Sequence, residues 1–112
     1  MAALSPIVAT RGGVLTAGAA VAGSDTISAG ILGQLGAFLE IINGNAASDN
    51  VTISDASVTP TGAAATPVAA TVVNGTSRVF KVFPQMADPA TGNVTITHSV
   101  TATITYKLFQ LG

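Results

Sequence analysis

The sequence contains no cysteine and no tryptophan, one tyrosine, one histidine and very little charge. Each scarcity removes a class of protein. Without cysteine there is no disulfide framework and no thiolate metal site, which suits folding in a reducing cytoplasm. Without tryptophan, the exposed aromatic platform of a carbohydrate-binding module is missing, and Tyr106 falls on the apolar side of its segment. Four Lys and Arg residues, scattered rather than clustered, make a poor footprint for phosphate contacts. Neither nucleic acid nor an anionic membrane surface is an expected partner. No apolar stretch long enough to cross a bilayer escapes interruption by Gly, Ser, Thr or Pro. Small residues surround Ala20-Val21-Ala22, but a basic n-region is lacking and Arg11-Gly12-Gly13 breaks the place of an h-region. A cleaved signal is therefore not expected.

The chain is 112 residues long, enough for one domain with a single modest core. Charged residues make up 8% of it, against about a quarter of ordinary soluble domains. A surface so thin in charge is poorly defended against association, which predicts that much of it is covered in an assembly.

What the chain does have is 15 Thr and 12 Val, residues whose branching at Cβ suits a pleated strand. The residues that usually coat exposed helices, Glu, Lys, Arg and Gln, are nearly absent. Pattern agrees with composition. From Val100 to Leu108, apolar residues alternate with Thr101, Thr103, Thr105 and Lys107, a period of two. Val94 to His98 alternates likewise, and with only Ser99 between them the two runs read as a tight hairpin or one bent strand. Val51-Thr52-Ile53 is a shorter piece of the same kind. The runs 37–42 and 78–83 are apolar on both faces. They suit central strands between two layers, or strands with one face on the core and the other on a neighbouring subunit.

Turn residues punctuate the chain at Asn43-Gly44-Asn45, Thr59-Pro60-Thr61-Gly62, Asn74-Gly75 and 88–93. Asn74-Gly75 after Val72-Val73 predicts a hairpin. The sum is an all-β fold: a single sandwich of about six to eight short antiparallel strands, jelly-roll or immunoglobulin-like. Residues 28–35 allow one helical turn, although Gly30, Gly33 and Gly36 favour a loop. Residues 1–24 form an extended N-terminal arm and edge strand, and residues 25–112 form the sandwich. The arm's Leu4, Ile7, Val8, Val14, Leu15 and Val21 offer too little apolar surface to hold a long segment, so it is expected to order against a partner.

Candidate chemistry is sparse. His98, the only histidine, takes an apolar-facing strand position and reads as a packed residue rather than a general base. No Gly-x-Ser-x-Gly elbow is present. Asp25, Asp49, Asp55 and Asp88 each stand alone beside turn residues, where carboxylates cap nearby backbone N–H groups. Loops 43–50 and 88–93 could offer oxygen ligands to Ca²⁺ but lack dense alternating carboxylates. No catalytic residue, cofactor or metal is expected. Three Asn-x-Thr triplets carry no weight in a chain so rich in threonine. Glu40 interrupts an apolar strand, which suits either an exposed edge or an ion pair across a subunit contact.

From about residue 37 onward, the order of elements resembles a family of small tailed-phage proteins encoded among head genes. The elements are the apolar strand Leu39 to Gly44 and the Val-Thr strand Val51 to Ser54. The Thr/Pro/Gly/Ala linker Thr59 to Thr66 follows, and then Ala70 to Arg78 with its tight turn. Phe83-Pro84, the strand Gly92 to Thr97 and the Thr-alternating end Val100 to Leu111 complete the set. Arg78 and Phe83-Pro84 are the most telling positions. The resemblance implies a non-enzymatic capsid decoration (cement) protein. It would be a β-sandwich homo-oligomer, most simply a trimer, that binds the major capsid protein of an assembled head in the virion. Leu4, Ile7, Val8, Arg11, Glu40 and Arg78 are the residues expected at assembly contacts. The competing readings are a tail-tube or tail-surface subunit and a secreted bacterial β-sandwich binding module.

Overall fold

The computed structural model describes residues 2–14, 16–58 and 60–111. Seven strands of five to seven residues build two sheets: β4 (Ser24–Ser28), β5 (Ala37–Asn43), β6 (Asp49–Ile53), β7 (Val68–Val72), β8 (Ser77–Val82), β9 (Asn93–His98) and β10 (Ile104–Gln110). Three two-residue pieces from the N-terminal segment join their edges: β1 (Ala2–Ala3), β2 (Pro6–Ile7) and β3 (Ala19–Ala20). Sheet A runs β1-β4-β9-β6-β7; sheet B runs β2-β10-β5-β8, with β3 also paired to β10. Period-two alternation makes each strand one-sided, and the two apolar sides face one another. Leu39, Ile41, Ile104 and Leu108 come from sheet B, and Val51, Ile53, Val94 and Ile96 from sheet A, all at most 1% exposed. Each such side chain contributes about 1.5–3 kcal/mol on burial, which makes this core the main stabilising term.

Among consecutive strands from β3 to β10, only β6 and β7 pair as neighbours; every other connection carries the chain to the opposite sheet. Two sequence expectations are corrected by this. The runs 94–98 and 100–108 are not a hairpin, because β9 lies in sheet A and β10 in sheet B. Strand β10 begins only at Ile104: the amide of Ile104 donates to the Thr101 carbonyl at 3.2 Å, and Thr103 adopts a left-handed φ of 56°. A turn there reverses the chain between layers, and alternation of Thr with small apolar residues continues through it unnoticed. Asn74-Gly75 does form a tight turn, with Gly75 at φ 77° and the Thr76 amide on the Val73 carbonyl. That turn passes the chain from sheet A to sheet B and does not close a hairpin.

The helical turn exists as α1 (Ala29–Leu32), capped by the Ser28 hydroxyl, which accepts from the Gly30 amide at 3.1 Å. Leu32 is its buried anchor. Gly36 returns the chain to β5 at φ 83°, and a Cβ there would collide with the Val82 carbonyl oxygen. Glycine is required at that position by space as well as by dihedral angle.

The arm differs from expectation. Leu4 is buried within its own chain, and its amide donates to the Thr26 carbonyl at 2.9 Å. Pieces β1 and β2 pair with β4 and β10 in parallel, so the sandwich is not wholly antiparallel. Leu4 thus closes the open side between the two sheets, where β4 and β10 leave a gap. Leu15 and Thr59 lie outside the described residues.

The adjacent pair Val79 and Phe80 tests which face is which, being 60% and 8% exposed respectively. Phe80→Asp is expected to abolish cooperative folding, because a buried unpaired carboxylate costs several kcal/mol, roughly the stability of a small domain. Val79→Asp, one residue away, should still fold. Circular dichroism melts of both variants check this, and equal behaviour would mean that the layers are assigned the wrong way round.

Candidate functional site

The outward faces of the two sheets are chemically unlike. Positions alternating with the core in sheet A are Ser24, Thr26, Ser28, Asn50, Thr52, Ala69, Thr71, Asn93, Thr95 and Thr97, uncharged hydroxyls and amides but for the one alanine, with Val73 exposed just beyond β7. The register sets them in rows: Ser24 beside Thr97, Thr97 beside Thr52, and Thr26 beside Thr95. This is the wet face that an antiparallel sandwich normally shows.

Sheet B does not follow that rule. One outward row reads Ile7, Phe109, Phe38, Lys81 across β2, β10, β5 and β8; the next reads Lys107, Glu40, Val79. Phe38 is 39% exposed and Phe83, just beyond β8, 44%. The Lys81 ammonium lies 5.3 Å from the Phe38 ring centre and 5.5 Å from that of Phe83. A cation over two aromatic faces is attracted by their quadrupoles and shields part of the apolar surface from water. Both runs read as apolar on two faces belong to this sheet. Strand β5 is central in it, whereas β8 is an edge.

The residues singled out from sequence fall at separate places. Ile7 stands in the apolar row of sheet B. Val8 is exposed and lines a surface cleft of about 420 Å³ with Ala9, Gln110 and Leu111. Arg11 sits in an exposed turn closed by the Gly13 amide on the Thr10 carbonyl. Glu40 is half-buried at the centre of the sheet B face, so it is not an edge residue. Arg78 reaches from the edge of sheet B to the edge of sheet A, where its Nη1 donates to the Thr71 carbonyl at 3.1 Å. That bond occupies a carbonyl of the β7 edge strand, the kind of group that otherwise invites strand addition.

A buried polar pair lies where turn chemistry was expected. Asp49 is not a turn residue: it opens β6 with its side chain inward, and its Oδ2 lies 2.6 Å from His98 Nδ1 at the end of β9. Their side chains are 0% and 1% exposed. The other carboxylate oxygen accepts from the amides of Ser99 and Val100, at 3.0 and 3.4 Å. The pair therefore fastens the β9–β10 turn to β6. His98 Nε2 is buried without a hydrogen-bond partner, and neither surface cleft is lined by His98 or Asp49. Both side chains are thus enclosed between the sheets, where they act on the β9–β10 turn. The sequence does hold the signal, since Asp49 shares period-two phase with Val51 and Ile53, and so faces inward with them.

Asp25 is also buried in a strand, β4, where both its oxygens accept from the Ala22 amide. Asp55 and Asp88 behave as turn residues, accepting from the backbone amides of Ser57 and Ala90. They border one polar cleft with Asn93 and Thr95. Among the described residues no group of three His, Cys, Asp or Glu side chains could hold a metal ion, and no helix is long and apolar enough to cross a membrane.

Removing Asp49 would strand the His98 nitrogen and two amides. Asp49→Ala is expected to lower unfolding free energy by about 3 kcal/mol, the range for breaking a buried polar pair from one side. Urea denaturation measures it, and a loss below ~1 kcal/mol would mean that water replaces the carboxylate at little cost.

In comparisons with protein-family models, with characterised proteins and with solved structures, no match to this chain was found.

Proposed function

We propose that this protein is a decoration subunit of a tailed-phage virion. It would be a non-enzymatic jelly-roll sandwich that binds an assembled head and itself. The observation that carries the proposal is the asymmetry of the two outer faces. Sheet A shows water a hydroxyl-rich surface, while sheet B leaves Phe38, Val79 and Phe83 uncovered. The same face carries Glu40, Lys81 and Lys107, so apolar and charged side chains are mixed on it. Large apolar side chains exposed together on one sheet face support reading it as an interaction site.

The strand order supports the jelly-roll form over the immunoglobulin form. Counting eight strands from β3, sheet B takes the first, eighth, third and sixth (β3-β10-β5-β8). Sheet A takes the second, seventh, fourth and fifth (β4-β9-β6-β7). That is the order of two nested Greek keys, an architecture that virus shell domains and lectins use. Immunoglobulin domains instead join several consecutive strands within one sheet. Architecture alone does not give function. The resemblance of residues 37–111 to small proteins encoded among phage head genes supplies the virion context.

The mechanism is linkage. A protein that binds only the assembled, expanded shell stabilises that state by mass action, and many identical contacts on a symmetric shell add up. The test is co-sedimentation with expanded heads and with unexpanded procapsids built from the major capsid protein of the same genome. Saturable binding to expanded heads alone, with a higher disruption temperature, is the expected result. Absence of binding to either, or assembly of the protein alone into tubes, would replace this reading with the tail-tube one.

A further inference from the structure

We infer that the outer face of sheet B is the surface through which copies of this chain associate, with Glu40 of one copy paired to Lys107 of another. The inference rests on the self-binding half of the proposed function and assigns the exposed face of sheet B to contact between copies, leaving shell binding to the rest of the surface. Lys107 and Glu40 are direct cross-strand partners on the outward side of β10 and β5. Opposite charges so placed normally have Cβ atoms about 5 Å apart and pair readily. Yet no ion pair joins them among the described residues. Glu40 is half-buried on the outward side of β5 with Phe38 and Ile42, in register with Lys107 on one side and Val79 on the other.

A carboxylate at the centre of an apolar face with cations beside it is complementary to a second copy of the same face. When two such faces meet, each Glu40 can take the partner's Lys107, while Phe38, Val79 and Phe83 provide the apolar contact. Two sheet faces pack at about 10 Å, as the two layers of this sandwich already do. Self-complementarity of one patch is what a twofold homodimer requires, so this contact would pair copies rather than close the expected trimer. Sheet A lacks the charges: its outward positions carry none, and its exposed large apolar side chains, Val68 and Val73, are confined to the β7 edge.

The experiment is sedimentation velocity over a concentration series on the full chain, with thermal melts confirming that each variant folds. Wild type associates. Glu40→Lys and Lys107→Glu each weaken association by about tenfold or more, because like charges then face each other across the contact. An equimolar mixture of the two variants associates more tightly than either alone, since each supplies the charge that the other lacks. A pair acting within one chain could not produce that result.

Val79→Cys gives an independent reading in a chain without other cysteine. The unlabelled variant associates, and a bulky maleimide adduct at that position blocks association. Four results would overturn the inference: a wild type monomeric throughout, single variants that associate like wild type, a mixture no tighter than its components, or a maleimide-labelled Val79→Cys chain that still associates. A chain that associates in this way but ignores expanded heads keeps this inference and loses the decoration reading. One that binds heads through this face as a monomer does the reverse.

Discussion

Every large strand in this protein must hide one side, and there is one core in which to hide it. The contact between the inner rows of the two sheets therefore governs everything else. Leu39, Ile41, Ile104 and Leu108 meet Val51, Ile53, Val94 and Ile96, with Ile27, Val72 and Val82 completing the layer. None of these is aromatic; the rings that the chain has stand mostly elsewhere. Phe80 and Tyr106 enter the core, while Phe38, Phe83 and Phe109 point outward from sheet B. A core of branched aliphatics packs closely and fixes strand register, because a slip of one residue would turn each inner row outward. The remaining aromatic area lies on the outer side of sheet B, partly covered by Lys81.

A core shared between two sheets also dictates the ends of the sandwich. The chain crosses between layers at nearly every connection, so its turns must be both tight and tied down. Asn43 does much of this. Its side-chain amide donates to the carbonyls of Ala47 and Val72, and its oxygen accepts from the Asn45 amide, which binds three segments at one end. The Asp49–His98 pair secures the neighbouring turn. Buried polar groups are costly unless satisfied. Placing them where the chain changes sheet turns that cost into a fixed crossing, which backbone pairing within one sheet cannot supply.

Fold class was legible because period-two alternation and β-branched composition are local facts. The strands at 49–53 and 93–98 lie where alternation placed them, and those at 37–43 and 77–82 where runs apolar on both faces did. Partnership between strands was not legible, because a turn such as Asn74-Gly75 has the same residues whether it closes a hairpin or crosses layers. The start of β10 was misplaced for a related reason: Thr101, Ala102 and Thr103 fit a strand and a turn equally well, and only the need to change sheet decides between them. Leu4 was undervalued because its burial depends on a gap between β4 and β10, formed by residues far along the chain. Glu40 was visible as an anomaly in an apolar run. Its place on a central strand, in register with Lys107, came only from the pairing.

The scarcity of charge gains a physical meaning once the faces are separated. Asp25, Asp49 and His98 are consumed in the interior, leaving few ionisable side chains for the surface. Two of the cations left outside sit where exposed apolar or unpaired groups would otherwise drive association. Lys81 lies across Phe38 and Phe83, and Arg78 bonds a carbonyl of the β7 edge and approaches the Phe80 ring. A lysine stem and ammonium over two rings masks them weakly, by about 0.5–1 kcal/mol at an exposed site. A complementary face that buries the same rings gains more than that from apolar area alone. Under the association inferred above, a matching face would overcome so weak a shield, and the same lysine could stay with the rings once they were covered. On that reading, one set of side chains on the outer face of sheet B would serve both the free chain and the contact between copies.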